Sequence, residues 1–170
     1  MRTIEDIQNH MQLCIGYAEQ DGWLSKEPVV RDDMGFLYII HDTLQNRFYC
    51  GMKLFWFKRL RMVQGKKRRT TKESDWRTYY GSSEDLTAAM AEHGKEHFER
   101  YILSTWETKR SLMNEECNLL HKLDVLTSCK DDGSYWFYNK FIGKTYRYDG
   151  HTKEVNKKNA RLLSKDAEPD

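Results

Sequence analysis

The sequence predicts a small mixed α/β (α+β) domain: a mainly antiparallel three-stranded sheet flanked by helices. Three observations carry this. Residues 37–51, L-Y-I-I-H-D-T-L-Q-N-R-F-Y-C-G, alternate apolar run, polar turn and second run, as a β-hairpin does. Two later segments, 82–93 and 108–123, repeat apolar residues at helical spacing. Between them lies H-F-E-R-Y-I-L-S at 97–104, a third strand. Short strands alternating with helices pack as a sheet with helices against it.

The elements follow in order. Residues 3–20 place Ile4, Ile7, Met11, Cys14 or Ile15, and Ala18 on one helical face, an amphipathic N-terminal addition. Residues 23–35 read as linker, so 1–34 form an extension ahead of a domain at 35–142. The hairpin occupies 36–41 and 47–50. Residues 53–63, K-L-F-W-F-K-R-L-R-M-V, read as a short helix, with their three successive aromatics also compatible with a strand. Residues 64–78 form a basic insertion without periodicity. Ser82 is the expected N-cap of the next helix and Gly94 its stop, with Leu86, Ala89, Met90 and His93 facing inward. The aromatic stretch S-Y-W-F-Y-N-K-F-I at 134–142 packs as a strand or extended segment, and 143–170 is a basic tail.

Composition narrows the function classes. Of 170 residues, 39% are hydrophobic and 32% charged, and no apolar run reaches the ~20 residues of a membrane span. The N-terminus lacks the pattern of a secretory signal. The four cysteines are scattered without a C-x-x-C pair, which fits reduced thiols and a cytoplasmic location. The net charge of +2 is unevenly spread. Residues 58–72 carry Lys58, Arg59, Arg61, Lys66, Lys67, Arg68, Arg69 and Lys72 without one acid, and the tail is basic again. Such blocks either stay solvated or meet a polyanion such as nucleic acid.

Several polar residues sit where local rules place apolar ones. With a hairpin symmetric about Thr43 and Leu44, Tyr38 lies directly opposite Tyr49 on one face; a one-residue slip separates them. Glu116 falls within the stripe Leu112, Leu119, Leu120 and Leu123. A carboxylate there requires either a functional role or a buried cation. Arg59, flanked by Phe55, Met62 and Val63, is a candidate partner. Asn139 is embedded in aromatics and needs partners for its amide, unless it simply ends a strand.

These residues together resemble the GIY-YIG nuclease superfamily, in particular its phage homing-endonuclease branch. Leu37-Tyr38 is similar to the I-Y of the first motif and Tyr49-Cys50-Gly51 to Y-I-G, eleven residues apart. Arg59 falls where the family's catalytic arginine sits in the following helix. Glu116 matches the metal-binding glutamate and Tyr138-Asn139 the closing Y-N. Gly35 stands one residue early for a literal G-I-Y, and Val63 and Gly81 stand where the family often has histidines, with Tyr79 or Tyr80 a replacement for the second.

The resemblance implies metal-dependent hydrolysis of DNA phosphodiesters, for homing or DNA degradation, by a monomer or weak dimer in a cytoplasm, the host's if the gene is carried by a phage. Tyr38, Tyr49, Arg59, Glu116 and Asn139 would form the catalytic set. Glu116 would hold one Mg²⁺ or Mn²⁺, Arg59 or a lysine such as Lys67 would meet the scissile phosphate, and either tyrosine could act on the attacking water. Lys53, Lys66, Lys67, Arg68, Arg69, Lys72, Arg77, Tyr80, Ser82 and Lys140 are the expected DNA contacts, with residues 64–77 along the groove. A non-catalytic nucleic-acid module on the same fold, or a protein-interaction domain, are the competing readings; neither needs an acid at Glu116.

Overall fold

The computed structural model describes residues 3–18, 21–63 and 66–143. Its centre is a five-stranded sheet: β1 (Ile15–Ala18), β2 (Trp23–Ser25), β3 (Gly35–Asp42), β4 (Arg47–Leu54) and β7 (Phe98–Trp106). The spatial order is β1-β2-β7-β3-β4, and only the β2–β7 pair is parallel. The sheet is therefore wider than the expected three strands. The extra width comes from the segment read as an extension and linker. Trp23 supplies the reason: it is fully buried among Phe36, Tyr38 and other core rings, and its strand docks on β7.

Alternation sorts side chains to the two faces. Phe36, Tyr38 and Ile40 face one layer with Leu86, Ala89 and Met90 of helix α2 (Glu84–His93). Leu37 and Ile39 face the other, with Ile7 of helix α1 (Ile4–Gln12), Leu112, Leu119 and Leu120 of helix α3 (Lys109–Lys122), and its C-cap Leu123. The expected N-terminal helix thus ends at Gln12, and the strand β1 follows.

The helix expected at 53–63 is instead a strand. β5 (Trp56–Val63) pairs antiparallel with β6 (Lys66–Glu73) in a separate two-stranded ribbon, so the basic insertion is regular structure. Trp56 and Phe57 open a run containing Val63, and β-branched residues follow at Thr70 and Thr71; aromatics and β-branched side chains favour extended backbone over helix.

The N-cap of α2 is Ser83, whose Oγ accepts the Leu86 amide, rather than Ser82. Leu86, Ala89 and Met90 are buried as expected, while His93 is only half-buried beside Gln45. The aromatic stretch forms no full strand, but runs beside β4 through a parallel bridge of Phe48 with Phe137. Except for Gly143, the basic tail lies outside the described residues.

Candidate active site

The site grows from the outer edge of β4. An edge strand exposes unpaired backbone groups that must be satisfied or guarded. Here four residues satisfy them in turn. The Phe48 amide donates to the Trp136 carbonyl, and the Tyr138 amide donates to the Phe48 carbonyl, both at 2.8 Å. The Asn139 side chain then imitates a strand: its Oδ1 accepts the Cys50 amide at 3.0 Å, and its Nδ2 donates to the Cys50 carbonyl at 2.8 Å. Finally, Glu116 Oε1 accepts the Met52 amide at 2.9 Å. Asn139 and Glu116, 23 residues apart in sequence, are brought to neighbouring positions on either side of Gly51.

The tyrosines reach the same point from the other face. The hairpin register pairs Tyr38 with Gly51 and Tyr49 with Ile40. This differs by two residues from the symmetric register expected, because the turn spans Thr43–Asn46, with Asp42 accepting the Leu44 and Gln45 amides and Asn46 at φ 48°. A two-residue shift preserves the face, so the tyrosines become diagonal neighbours with ring centroids 6.1 Å apart. Opposite Tyr38 there is only a hydrogen. A Cβ on Gly51 would come within 2.7 Å of the Tyr38 hydroxyl oxygen. Gly81, at φ +86°, does the same for Tyr49: a Cβ there would lie 2.9 Å from its ring. Each tyrosine of the pair therefore leans on a glycine.

A third phenol completes the cluster. Tyr79 packs edge-on to Tyr38, with centroids 5.9 Å apart. Lys53 lies over the Tyr79 ring at 3.4 Å and donates to Asp75 at 2.7 Å. Arg100 fixes this loop from below. Its buried guanidinium donates to the carbonyls of Arg77, Tyr79 and Asp21 and lies over the Tyr80 ring. Sequence reasoning missed Arg100 and the Asp75–Lys53 pair; a cation on a strand otherwise rich in buried residues was the available signal.

Electrostatics separates the phenols. Tyr38 is buried, and desolvation, its two phenol neighbours and Glu116 push its pKa well above 10. Tyr49 is also pushed up by desolvation, but hydrogen bonds with Ser82 oppose the rise. Its hydroxyl lies 3.2 Å from Ser82 Oγ, at a cleft of about 360 Å³ lined also by Asn139, Lys140 and Phe141. Burial raises the Glu116 pKa, and the Met52 amide works against that rise. Among the described residues no lysine or arginine forms a salt bridge with Glu116.

Of the predicted catalytic set, Tyr38, Tyr49, Glu116 and Asn139 converge. Arg59 is on β5 opposite Thr70, in a ribbon and not in a helix. Among the expected DNA contacts, Lys66, Arg68 and Lys72 are exposed on β6, where Lys67 and Arg69 also lie. Arg77 is committed to Asp21 and Glu73. Lys140 pairs with Asp85 at the cleft, Tyr80 is held between Arg100 and Lys95, and Ser82 meets Tyr49.

Among the described residues, no group of three or more His, Cys, Asp or Glu could hold a metal. A half-buried carboxylate without a lysine or arginine partner among the described residues, at the strand edge next to Asn139, fits a hard cation that keeps most of its water and phosphate ligands. No helix among the described residues is long and apolar enough to cross a membrane.

A tyrosine pair folded over the glycine of Y-x-G thus shares one strand edge with a glutamate and an asparagine. Residues 18–142, well over half of the chain, match the family described as "Putative endonuclease segE, GIY-YIG domain", and the chain belongs to this GIY-YIG endonuclease family. No match occurs among curated proteins or among solved structures.

Proposed function

We propose that the protein is a metal-dependent endonuclease that hydrolyses DNA phosphodiesters, of the phage type that acts in homing or DNA degradation. The observation that carries this reading is the meeting of Glu116, Asn139, Tyr38 and Tyr49 around Gly51, from four separate stretches of chain.

Glu116 would hold one Mg²⁺ or Mn²⁺, which when bound polarises the scissile phosphate and stabilises the leaving oxygen. Its own contribution is a fixed carboxylate, since the Met52 amide holds one oxygen in place. Tyr49, the phenol at the cleft, orients the attacking water through its hydroxyl. A phenol is a poor base at neutral pH, and burial makes Tyr38 a poorer one. Tyr38 therefore acts as a positioning residue, its ring packed against those of Tyr49 and Tyr79. Asn139 positions too: both ends of its amide are spent on Cys50, which locks the cleft wall to the strand edge. Lys53, with its side chain 12% exposed over Tyr79, is the cation the described structure brings to the phenols, a place the sequence reading gave to Arg59.

Supercoiled plasmid incubated with Mg²⁺, Mn²⁺ or chelator tests this, with Glu116→Gln alongside. Metal-dependent nicking that the variant lacks supports the reading. Absence of cleavage with every metal, with salt-sensitive binding equal in both proteins, refutes catalysis and favours a binding module on the same fold.

A further inference from the structure

The β5–β6 ribbon is the largest concentration of one charge in the described protein, and its structure is odd for a surface loop. Two eight-residue arms pair along their whole length, from Trp56 opposite Glu73 to Val63 opposite Lys66. At ~3.3 Å per residue the arms extend about 25 Å. Their base is anchored: Phe55 and Trp76 are buried, Phe55 donates its amide to Met34, and Ser74 bonds Phe55 and Leu54 through backbone and side chain. Beyond the base, Lys58, Met62, Lys66, Arg68 and Lys72 are exposed.

This composition costs stability in the free protein. The register sets Arg61 opposite Arg68, and the arms hold no acid before Glu73. Like charges directly across a ladder destabilise it, and a two-stranded hairpin is marginal by itself. A ribbon built against local rules in this way is explained by a polyanionic partner that restores the balance.

The chemistry also selects the form of that partner. Single-strand binding uses aromatic rings on which bases stack, and residues 58–72 contain none. A bare two-stranded ribbon instead has the cross-section that the major groove of B-DNA admits, about 12 Å wide. Lys66, Arg68 and Lys72 occupy positions of one parity on β6. Lys66 and Arg68, at i and i+2, stand about 6.7 Å apart, two base steps of about 3.4 Å, and Lys72, four residues beyond Arg68, about 13 Å further, four base steps. Resting on the DNA-nuclease reading above, we infer that the β5–β6 ribbon seats in the major groove of duplex DNA beside the bond to be cut, with Lys66, Arg68 and Lys72 as its phosphate contacts.

The test is equilibrium binding of a duplex in chelator over a salt series, with wild type, the Lys66→Ala/Arg68→Ala/Lys72→Ala variant and a Lys66→Arg/Lys72→Arg control. The alanine variant should flatten the slope of log affinity against log salt by between two and three, about 0.9 per lost phosphate contact, and the arginine control should retain it. Methyl green, a major-groove ligand, should abolish the difference between the proteins, and netropsin, a minor-groove ligand, should leave it. An unchanged slope overturns the inference. So does an equal loss on single strands, or a difference removed by netropsin alone. Matching thermal transitions establish that the alanine variant is folded. Plasmid nicking by the wild type with Mg²⁺ at low salt separates the two readings. If the wild type never nicks while the slope result holds, catalysis falls and the ribbon assignment stands.

Discussion

The protein contains two eight-residue antiparallel hairpins that follow one another in the chain and obey opposite physics. In β3–β4 almost every side chain is at least half-buried, both faces carry a core, and the outer edge is closed by Trp136, Tyr138, Asn139 and Glu116. In β5–β6 Lys58, Lys66, Arg68 and Lys72 stand in solvent, and the register sets Arg61 opposite Arg68. The difference teaches where precision and affinity come from. A site that must hold reacting atoms is assembled from satisfied, buried groups. A surface that must find and grip a polyanion can be assembled from unsatisfied charge. The contrast can be broken at either end.

The largest effect is expected at Glu116. Glu116→Gln preserves size and can still accept the Met52 amide, but it removes the negative charge. Plasmid nicking should fall by at least about a thousandfold, the order seen when a central electrostatic group is removed. The thermal transition should stay level or rise, because the half-buried carboxylate carries a desolvation cost. Nicking that survives in this variant would move the metal-binding role elsewhere.

Next comes Gly51→Ala. The added methyl would be 2.7 Å from the oxygen of a tyrosine that is itself fully packed. The phenol has to move, and a displacement near 1 Å costs on the order of a hundredfold in rate. Overpacking should also cost about 1–3 kcal/mol in denaturant titration. A wild-type rate in this variant would show that the Tyr38 hydroxyl need not lie over the strand edge. Asn139→Ala is expected to act in the reverse proportion. Two buried hydrogen bonds to Cys50 are lost and two backbone groups are left unpaired, so about 2–4 kcal/mol of stability should go.

Much of this site could be read from the sequence, for identifiable reasons. Glu116 announced itself because a carboxylate in a leucine stripe violates helix patterning, and Tyr38 with Tyr49 because a period-two pattern fixes the face even when the register is wrong by two. The ribbon was misread because K-L-F-W-F-K-R-L-R-M-V has apolar residues at both helical and strand spacing. Its true partner, residues 66–73, has no apolar residue with which to declare itself. The width of the sheet was missed because β2 is three residues long and only the burial of Trp23 justifies it. The ion pair of Arg77 with Asp21 was not legible because it spans 56 residues, which no local pattern reveals.

That ion pair sharpens the contrast between the two hairpins. Arg77 lies at the ribbon's foot but is occupied by Asp21 and Glu73. Arg77→Ala should leave the salt dependence of DNA binding unchanged, in contrast to Lys66, Arg68 and Lys72. Its cost should appear in the thermal transition, as a loss of about 1 kcal/mol or less for a part-exposed pair. A flattened salt slope in this variant would return Arg77 to the DNA interface.

The smallest effect is expected at Lys53, where the two hairpins join. Its ammonium, hydrogen-bonded to Asp75, holds that carboxyl below its ordinary value of 3.8. A depressed carboxylate contributes stability above its unfolded pKa and loses it as pH falls through the folded pKa. Lys53→Met should therefore be slightly less stable than wild type at pH 6, by less than about 1 kcal/mol since Asp75 is mostly exposed, and the gap should close below the folded pKa of Asp75. Carbon-detected NMR titration of Asp75 should show its midpoint rising toward 3.8 in the variant. The same change leaves Tyr79 without the cation over its ring. If nicking falls much further than stability does, Lys53 belongs to the chemistry of the phenol cluster; if the two fall together in small steps, it serves only to join the ribbon's foot to the sheet.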